Sequence, residues 1–391
     1  MSTSHQPGET IHHYVAEASY YSAKTRAYLR QKRLDFVDRF VSHPHFVAAV
    51  LPKAGFLRMP TVELPDGTVI QDSSEIIDHL ESCHPERPVY PAGPRQRLAA
   101  LIIEVYADEG LLPAGLHYRW SFRETNDPFV IDEFGTASAG DRVALVHSLG
   151  EAVANQMNAH LAPMGVRAET IPAIEASTLA LFDLLNAHFR MHPYLFGGRA
   201  SIADCALMAP MYGHFARDPY PAQLMRRRAP RLHRWTERMN AREFPPPEFP
   251  FADDAFAAGD EIAETTMEVL RLIGRDFFGE VRGLLRTYNA WAAGLPETCA
   301  GTSIPSLPNG MAACGRHTFE LRGVPISRVA RIDTVWKWQR PLEYYRSLAG
   351  HDLEAADGLL DALGAGDLFT LVPAPRIARN ARNFFVFGSP P

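Results

Sequence analysis

The chain has 391 residues, 46 % apolar and 21 % charged, with a formal net charge of −6. That length predicts two or three domains, each able to bury its own core. The mild acidity argues against a nucleic-acid binder, which carries a basic excess or stripe.

The one short basic run, Arg226-Arg227-Arg228, reads as the solvated end of a helix. Cys83, Cys205, Cys299 and Cys314 are widely spaced and form no CxxC pair, so neither a zinc site nor a disulfide framework follows. No apolar stretch approaches the ~18 residues of a membrane span. The polar opening Met1 to Thr10 lacks the regions of a signal peptide. The expectation is a soluble cytoplasmic protein with no membrane partner.

Taken in chain order, Ile11 to Val15 is short and rich in strand formers, and Ser22 to Gln31 favours a helix. Leu34 to Phe40 alternates apolar and polar residues and predicts a second strand. Thr61 to Leu64, Pro65-Asp66-Gly67 and Thr68 to Ile70 predict a hairpin, and a helix follows from Ser73. Beyond Arg95 the pattern turns to helices, over 98–109, 142–160, 174–189 and 202–215. Ser201-Ile202-Ala203-Asp204 reads as a capping box. The proline-rich segment 245–250 is helix-incompatible and marks a boundary, read as a stiff bridge. After it come one long helix over 261–289, a loop over 296–315, a hairpin around Gly323 and an aromatic helix over 335–348. The tail 373–391 has little periodicity. Apolar residues spread around the long helix predict that 251–391 packs on the helical region as part of one body.

Two segments could carry chemistry. Ser19-Tyr20-Tyr21-Ser22-Ala23-Lys24-Thr25-Arg26 lies at a strand-helix junction, where free amides and the helix dipole favour an anion such as a thiolate. A hydroxyl aimed at that thiolate would lower its pKa, although Ser19 or Ser22 would serve equally as a helix cap. Further on, Arg58-Met59-Pro60-Thr61-Val62 sets a proline at a strand start, which suggests a cis bond with the Met59 backbone free to pair with an extended peptide. Gln71-Asp72-Ser73-Ser74 then opens a helix, where Asp72 could accept from an ammonium and Ser73 could bind a carboxylate. Each alone is also what an ordinary capped helix would need. His12-His13 and His43-Pro44-His45 lack further ligands at a telling spacing and read as loop and edge histidines, with no metal expected.

Together these segments resemble the thioredoxin-like domain of the glutathione S-transferases. Phe196-Gly197-Gly198-Arg199-Ala200-Ser201-Ile202-Ala203-Asp204 and Ala229 to Trp235 are similar to motifs of that family's helical domain. The resemblance covers about residues 10–242. It implies a βαβ-ββα domain over 1–90 and an all-helical domain over 91–244; with the mixed, mainly helical extension read over 251–391, which matches no family motif, the expected fold is α+β. It also implies glutathione as co-substrate. Ser19 would activate the thiol, Met59 and Pro60 would clamp the cysteinyl part, and Asp72 and Ser73 would hold the γ-glutamyl end. Tyr106, Tyr118 and Trp120 would line a pocket for a small electrophile, and a homodimer would be the assembly. Tyr20 departs from the proline that often follows the catalytic residue, and no cysteine lies in the segment. The same thiolate would serve an isomerase, a dehalogenase or an ether-cleaving enzyme. A non-catalytic module of this fold, with the extension as a binding or structural element, is the contrasting reading.

Overall fold

The computed structural model describes residues 10–242, 245–296, 298–307 and 310–389. The polar opening before Thr10 lies outside the described residues, as do 297, 308 and 309 of the expected loop and the last two residues of the tail.

Strand β1 (Ile11–Val15) pairs in parallel with β2 (Phe36–Phe40), and helix α1 (Tyr20–Lys32) makes the crossover such a pair requires. After the short α2 (Leu51–Ala54), β3 (Thr61–Glu63) runs antiparallel to both β1 and β4 (Val69–Gln71), giving the order β2-β1-β3-β4. The predicted hairpin turn is present: Gly67 has φ 82°, and Asp66 Oδ1 accepts from the Thr68 amide at 2.9 Å. Helix α3 (Ser73–Cys83) packs beside α1. This is the thioredoxin-like arrangement.

The helical region holds α4 (Pro94–Val105), α5 (Leu112–Trp120), α6 (Arg123–Ala139), α7 (Val146–Asn158), α8 (Ile171–Met191), α9 (Ile202–Pro210), α10 (Pro219–Arg228) and α11 (Pro230–Asn240). The helix expected over 98–109 starts earlier and ends in a π-helical turn, Tyr106–Gly110. Ser201 and Asp204 form the capping box, and burial pushes the Asp204 carboxyl up to about 6. Three arginines end α10 as expected.

The extension builds on this frame with α12 (Glu264–Ala293), the hairpin β5 (Ala313–Leu321) and β6 (Val324–Arg331), α13 (Ile332–Ser347), α14 (Gly350–Ala362), and the hairpin β7 (Ile377–Arg379) and β8 (Phe385–Phe387). Arg322 and Gly323 both take positive φ, which a two-residue turn between twisted strands demands. The tail, read as having little periodicity, holds a small two-stranded sheet.

One apolar core runs through all three stretches of the chain, from Ile11 to Phe387. Residues after the proline segment dock by backbone contact: Gly198 N–H donates to Ala255 O and Ala257 N–H to Phe196 O. Gly198 permits this, since a β-carbon there would stand 1.8 Å from Asp253 O. Asp260 caps α4 from outside, accepting from the amides of Arg95 at 2.7 Å and Gln96 at 2.8 Å. Trp338 is wholly buried against Phe278 and Phe369, whereas Trp336 faces Arg379 and Phe385.

His188 fastens α8 to the start of α12. Its Nε2–H donates to Tyr194 O at 3.1 Å, so Nδ1 accepts from the Thr265 hydroxyl at 2.8 Å. Burial holds the imidazole neutral, with its pKa lowered from 6.5 to about 4. Between those values the unfolded chain binds the extra proton, so stability rises with pH there and is lost as pH falls from 6.5 toward 4. The expected contribution is about 3 kcal/mol. Urea unfolding across that window should show a flatter pH dependence for His188→Gln than for the parent chain; equal slopes would exclude His188 as the source.

Candidate functional site

Strand register brings the sequence-predicted residues to one end of the sheet. Tyr14 pairs with Thr61, and Thr61 with Gln71. Pro60 precedes Thr61, Asp72 follows Gln71, and Ser19 closes the loop that leaves β1. The N-terminus of α1, the Met59–Pro60 turn and the N-terminus of α3 therefore converge. The Met59–Pro60 bond is cis. The Thr61 hydroxyl donates to Arg58 O at 2.8 Å, and the Gln71 amide donates to Phe56 O at 2.9 Å, which fixes the loop ahead of Pro60.

Ser19 is the N-cap of α1, accepting from the Ser22 amide at 3.4 Å. The cap occupies a lone pair and leaves the hydroxyl hydrogen free to donate. Ser19 is partly exposed, whereas Ser22 is fully buried. Tyr14 is spoken for by Glu63, and burial together with that carboxylate pushes its hydroxyl up to about 12. His13, expected at an edge, is instead buried between Asp38 at 2.7 Å and Thr25 at 2.6 Å. Arg119, which carries no sequence motif, sits beneath the junction. It forks onto Asp218 at 2.7 and 2.9 Å and donates to Ala18 O and Gly213 O, both at 2.7 Å.

Asp72 takes φ 84° and caps α3 through the Ser74 amide at 2.9 Å. Its carboxylate faces the extension, with Arg379 Nη2 at 3.2 Å and Lys337 Nζ at 3.8 Å. Burial alone would raise its pKa; Lys337, Arg379 and Arg58 overcome that and hold it well below the usual range. Ser73 is 1 % exposed, and its hydroxyl has no hydrogen-bond partner among the described residues.

Behind this lies a buried ionic seam that sequence reasoning missed. Lys24 Nζ meets Glu104 and Asp108, each at 2.7 Å, and donates to Ser74 Oγ at 3.1 Å. Lys337 also reaches Asp108 at 2.7 Å and Ser74 Oγ at 3.1 Å. Arg340 pairs with Glu104 and Asp78, Arg331 with Glu109, and Arg58 with Asp333. The signal was present at the start of α13: its N-cap Arg331 and then Thr334, Lys337 and Arg340 recur every three residues and form one polar stripe.

Of the aromatic residues expected to line a co-substrate pocket, Tyr106 borders a small cavity with Pro113 and Met164, and Tyr118 and Trp120 are buried. Tyr118 stacks among Phe122, Phe215 and Tyr220, Trp120 lies on Phe134, and Tyr106 lies on Phe277. Helix α5 turns Tyr118 and Trp120 into the helical core. An open, largely apolar cleft of about 760 Å³ lies beside the start of α1. Tyr21, Leu112, Leu116, Met157 and Met164 form one wall; Leu307, Val329 and Arg331 of the extension form the other. His160 also lines it, its pKa lowered by burial and by Arg331. Among the described residues no group of three or more His, Cys, Asp or Glu is placed to hold a metal ion, and no helix is long and apolar enough to cross a membrane.

Comparison with known proteins agrees with this frame. The model of the glutathione S-transferase N-terminal domain matches residues 14–88, and that of the C-terminal domain matches residues 157–243. Among solved structures the chain is similar to a glutathione S-transferase of Methylobacterium radiotolerans in complex with glutathione sulfonate, at 22 % identity and TM-score 0.35, over 65 % of this chain and 100 % of that one. It is similar to glutathione transferase GSTFuA3 of Phanerochaete chrysosporium at 18 % identity and TM-score 0.43, over 61 % and 100 %. A beta-etherase of Sphingobium gives 18 % identity and TM-score 0.37, over 61 % and 96 %. No curated protein matches the chain. Matched in their order, the two domain models identify residues 14–88 and 157–243 as glutathione S-transferase N- and C-terminal domains.

Proposed function

We propose that the protein is a glutathione-dependent enzyme that activates the glutathione thiol for attack on a small, largely apolar electrophile. The observation that carries this reading is the convergence of Ser19, Met59, Asp72 and Ser73 at one sheet end, beside the 760 Å³ apolar cleft. Met59 would pair with the cysteinyl backbone, and Asp72 with the γ-glutamyl ammonium. The thiol gives its proton to solvent, and the Ser19 hydroxyl and the α1 dipole stabilise the thiolate left behind. Serine is no base at neutral pH, so its part is donation. The sulfur then bonds to the electrophilic carbon, and the leaving group departs with the bonding pair. Arg331 is paired with Glu109, so it adds little net charge to the cleft, which suits an uncharged substrate.

Ser19→Ala at saturating glutathione should raise the pKa of the bound thiol, read from thiolate absorbance, and lower kcat/KM by about 10²-fold. Ser22→Ala should leave both unchanged and cost only stability. A thiol titration that moves with Ser22 and not with Ser19 would exchange the two roles.

A second reading is favoured by one specific observation. Arg379 occupies the Asp72 carboxylate, and Ser73 is shut from solvent. On that ground the chain would be a non-catalytic member of its superfamily. An absence of glutathione binding by calorimetry, in the parent chain and in chains with the cradle opened, would decide for it.

A further inference from the structure

We propose that the tip of the β7–β8 hairpin is an intramolecular plug for the glutathione cradle, with the Arg379 guanidinium standing where a ligand ammonium would pair with Asp72. This rests on the glutathione reading above.

The tip is built to stay in place without being welded there. Arg379 lies between two aromatic rings, 4.4 Å from the Trp336 centroid and 4.3 Å from that of Phe385, and reaches Asp72 at 3.2 Å. Next to it the Asn383 amide donates to Ala54 O at 3.1 Å, and Phe384 packs on Phe56 with ring centroids 4.9 Å apart. Arg382 O sits over Gly55, where a β-carbon would come within 2.6 Å of it. All these contacts fall on 379–384. The hairpin base is held separately: Gln339 exchanges two hydrogen bonds with the Ile377 backbone, and Phe385 and Phe387 bond to Ile304, Gly301 and Thr302. Arg379 pairs with Phe385 at the end of the ladder, so the loop beyond that pair can lift and the Arg379 side chain can swing off Asp72 while the base remains seated.

Two groups at the contact are unsatisfied in this arrangement. The Ser73 hydroxyl and Arg379 Nε are buried without a hydrogen-bond partner among the described residues. A buried polar group left unpaired is costly. A γ-glutamyl group carries an ammonium and a carboxylate on one carbon: the carboxylate would accept from Ser73, the ammonium would take the place of Arg379 on Asp72, and the displaced guanidinium would gain water for its Nε. Binding is therefore an exchange, in which the ligand must displace a cation already paired with the acid. Each part of that exchange is charge-assisted, so the plug should weaken glutathione binding and not abolish it.

The test is the glutathione affinity of three full-length chains: the parent, Arg379→Met and Asn383→Ala. Methionine keeps bulk between the two rings and removes the charge, while Asn383→Ala frees the tip without touching the cradle. Calorimetry should give about tenfold tighter binding for Arg379→Met and a smaller gain for Asn383→Ala. In the parent chain, millimolar glutathione should speed amide hydrogen exchange over 380–384. Equal affinities in the three chains, with no change in exchange, would overturn the plug and leave the glutathione reading standing. No binding by any of them would remove the glutathione reading and the plug with it.

Discussion

Lys337→Ala is expected to cost about 3 kcal/mol of stability, far more than the loss of a surface ion pair. Lys337 is 3 % exposed, and its ammonium touches Asp108 and Ser74 and lies near Asp72. Burial would lower its pKa, but Asp108, Asp72 and Glu104 drive it well above the ordinary value. Removing one partner of a buried pair generally costs about 3–5 kcal/mol, because the remaining charge stays desolvated. Here the lower end applies, since Asp108 keeps Lys24 at 2.7 Å and Asp72 keeps Arg379. Lys24→Ala should reach the upper end, because it leaves Glu104, Asp108 and Ser74 facing one cation fewer from inside the sheet domain. Arg228, paired with the exposed Asp183, is the control, where a change below about 1 kcal/mol is expected. Urea midpoints of the three variants give the order directly. If Lys337→Ala falls with Arg228→Ala, the seam between α13 and the first two regions is not structural.

That seam marks where sequence reading stops. The βαβ-ββα order was legible because each element carries its own local signal: strand formers at Ile11 to Val15, turn residues at Pro65 to Gly67, a capping box at Ser201. The candidate cradle was legible for the same reason, as cap and turn residues occupy fixed offsets. Helices α5 and α6 went unread. Proline follows the first residue of one and lies inside the other, at Pro113 and Pro128, and neither helix shows a clean apolar face. What covers the cradle was illegible for a stronger reason. Arg379 and Asp72 are 307 residues apart, and nothing near either names its partner. An arginine in an irregular tail reads as solvated until the fold puts two aromatic rings around it. Likewise Asp108 and Glu109 follow a helical pattern and would be taken as surface charge. The π-helical turn Tyr106–Gly110 carries them into the seam, where both are fully buried.

Arg119→Met should cost about 3–5 kcal/mol and, separately, disturb the Ser19 junction. The guanidinium is 1 % exposed and Asp218 is 0 % exposed, so the substitution strands a carboxylate in the interior. It also removes the donors to Ala18 O and Gly213 O, which pin the residue before Ser19 to the turn after α9. These two losses can be separated. In Arg119→Met/Asp218→Asn the stranded charge is gone, and much of the lost stability should return, because the penalty comes chiefly from the unpaired ion. The Ala18 and Gly213 carbonyls still lack their donor in the double variant. Stability should therefore recover while the pKa of bound glutathione stays raised, as in Ser19→Ala. A double variant that regains both would reduce Arg119 to a core ion pair. One that regains stability alone makes it the residue that aims Ser19, placed 100 residues downstream where the sequence offers only an unremarkable His117-Tyr118-Arg119-Trp120.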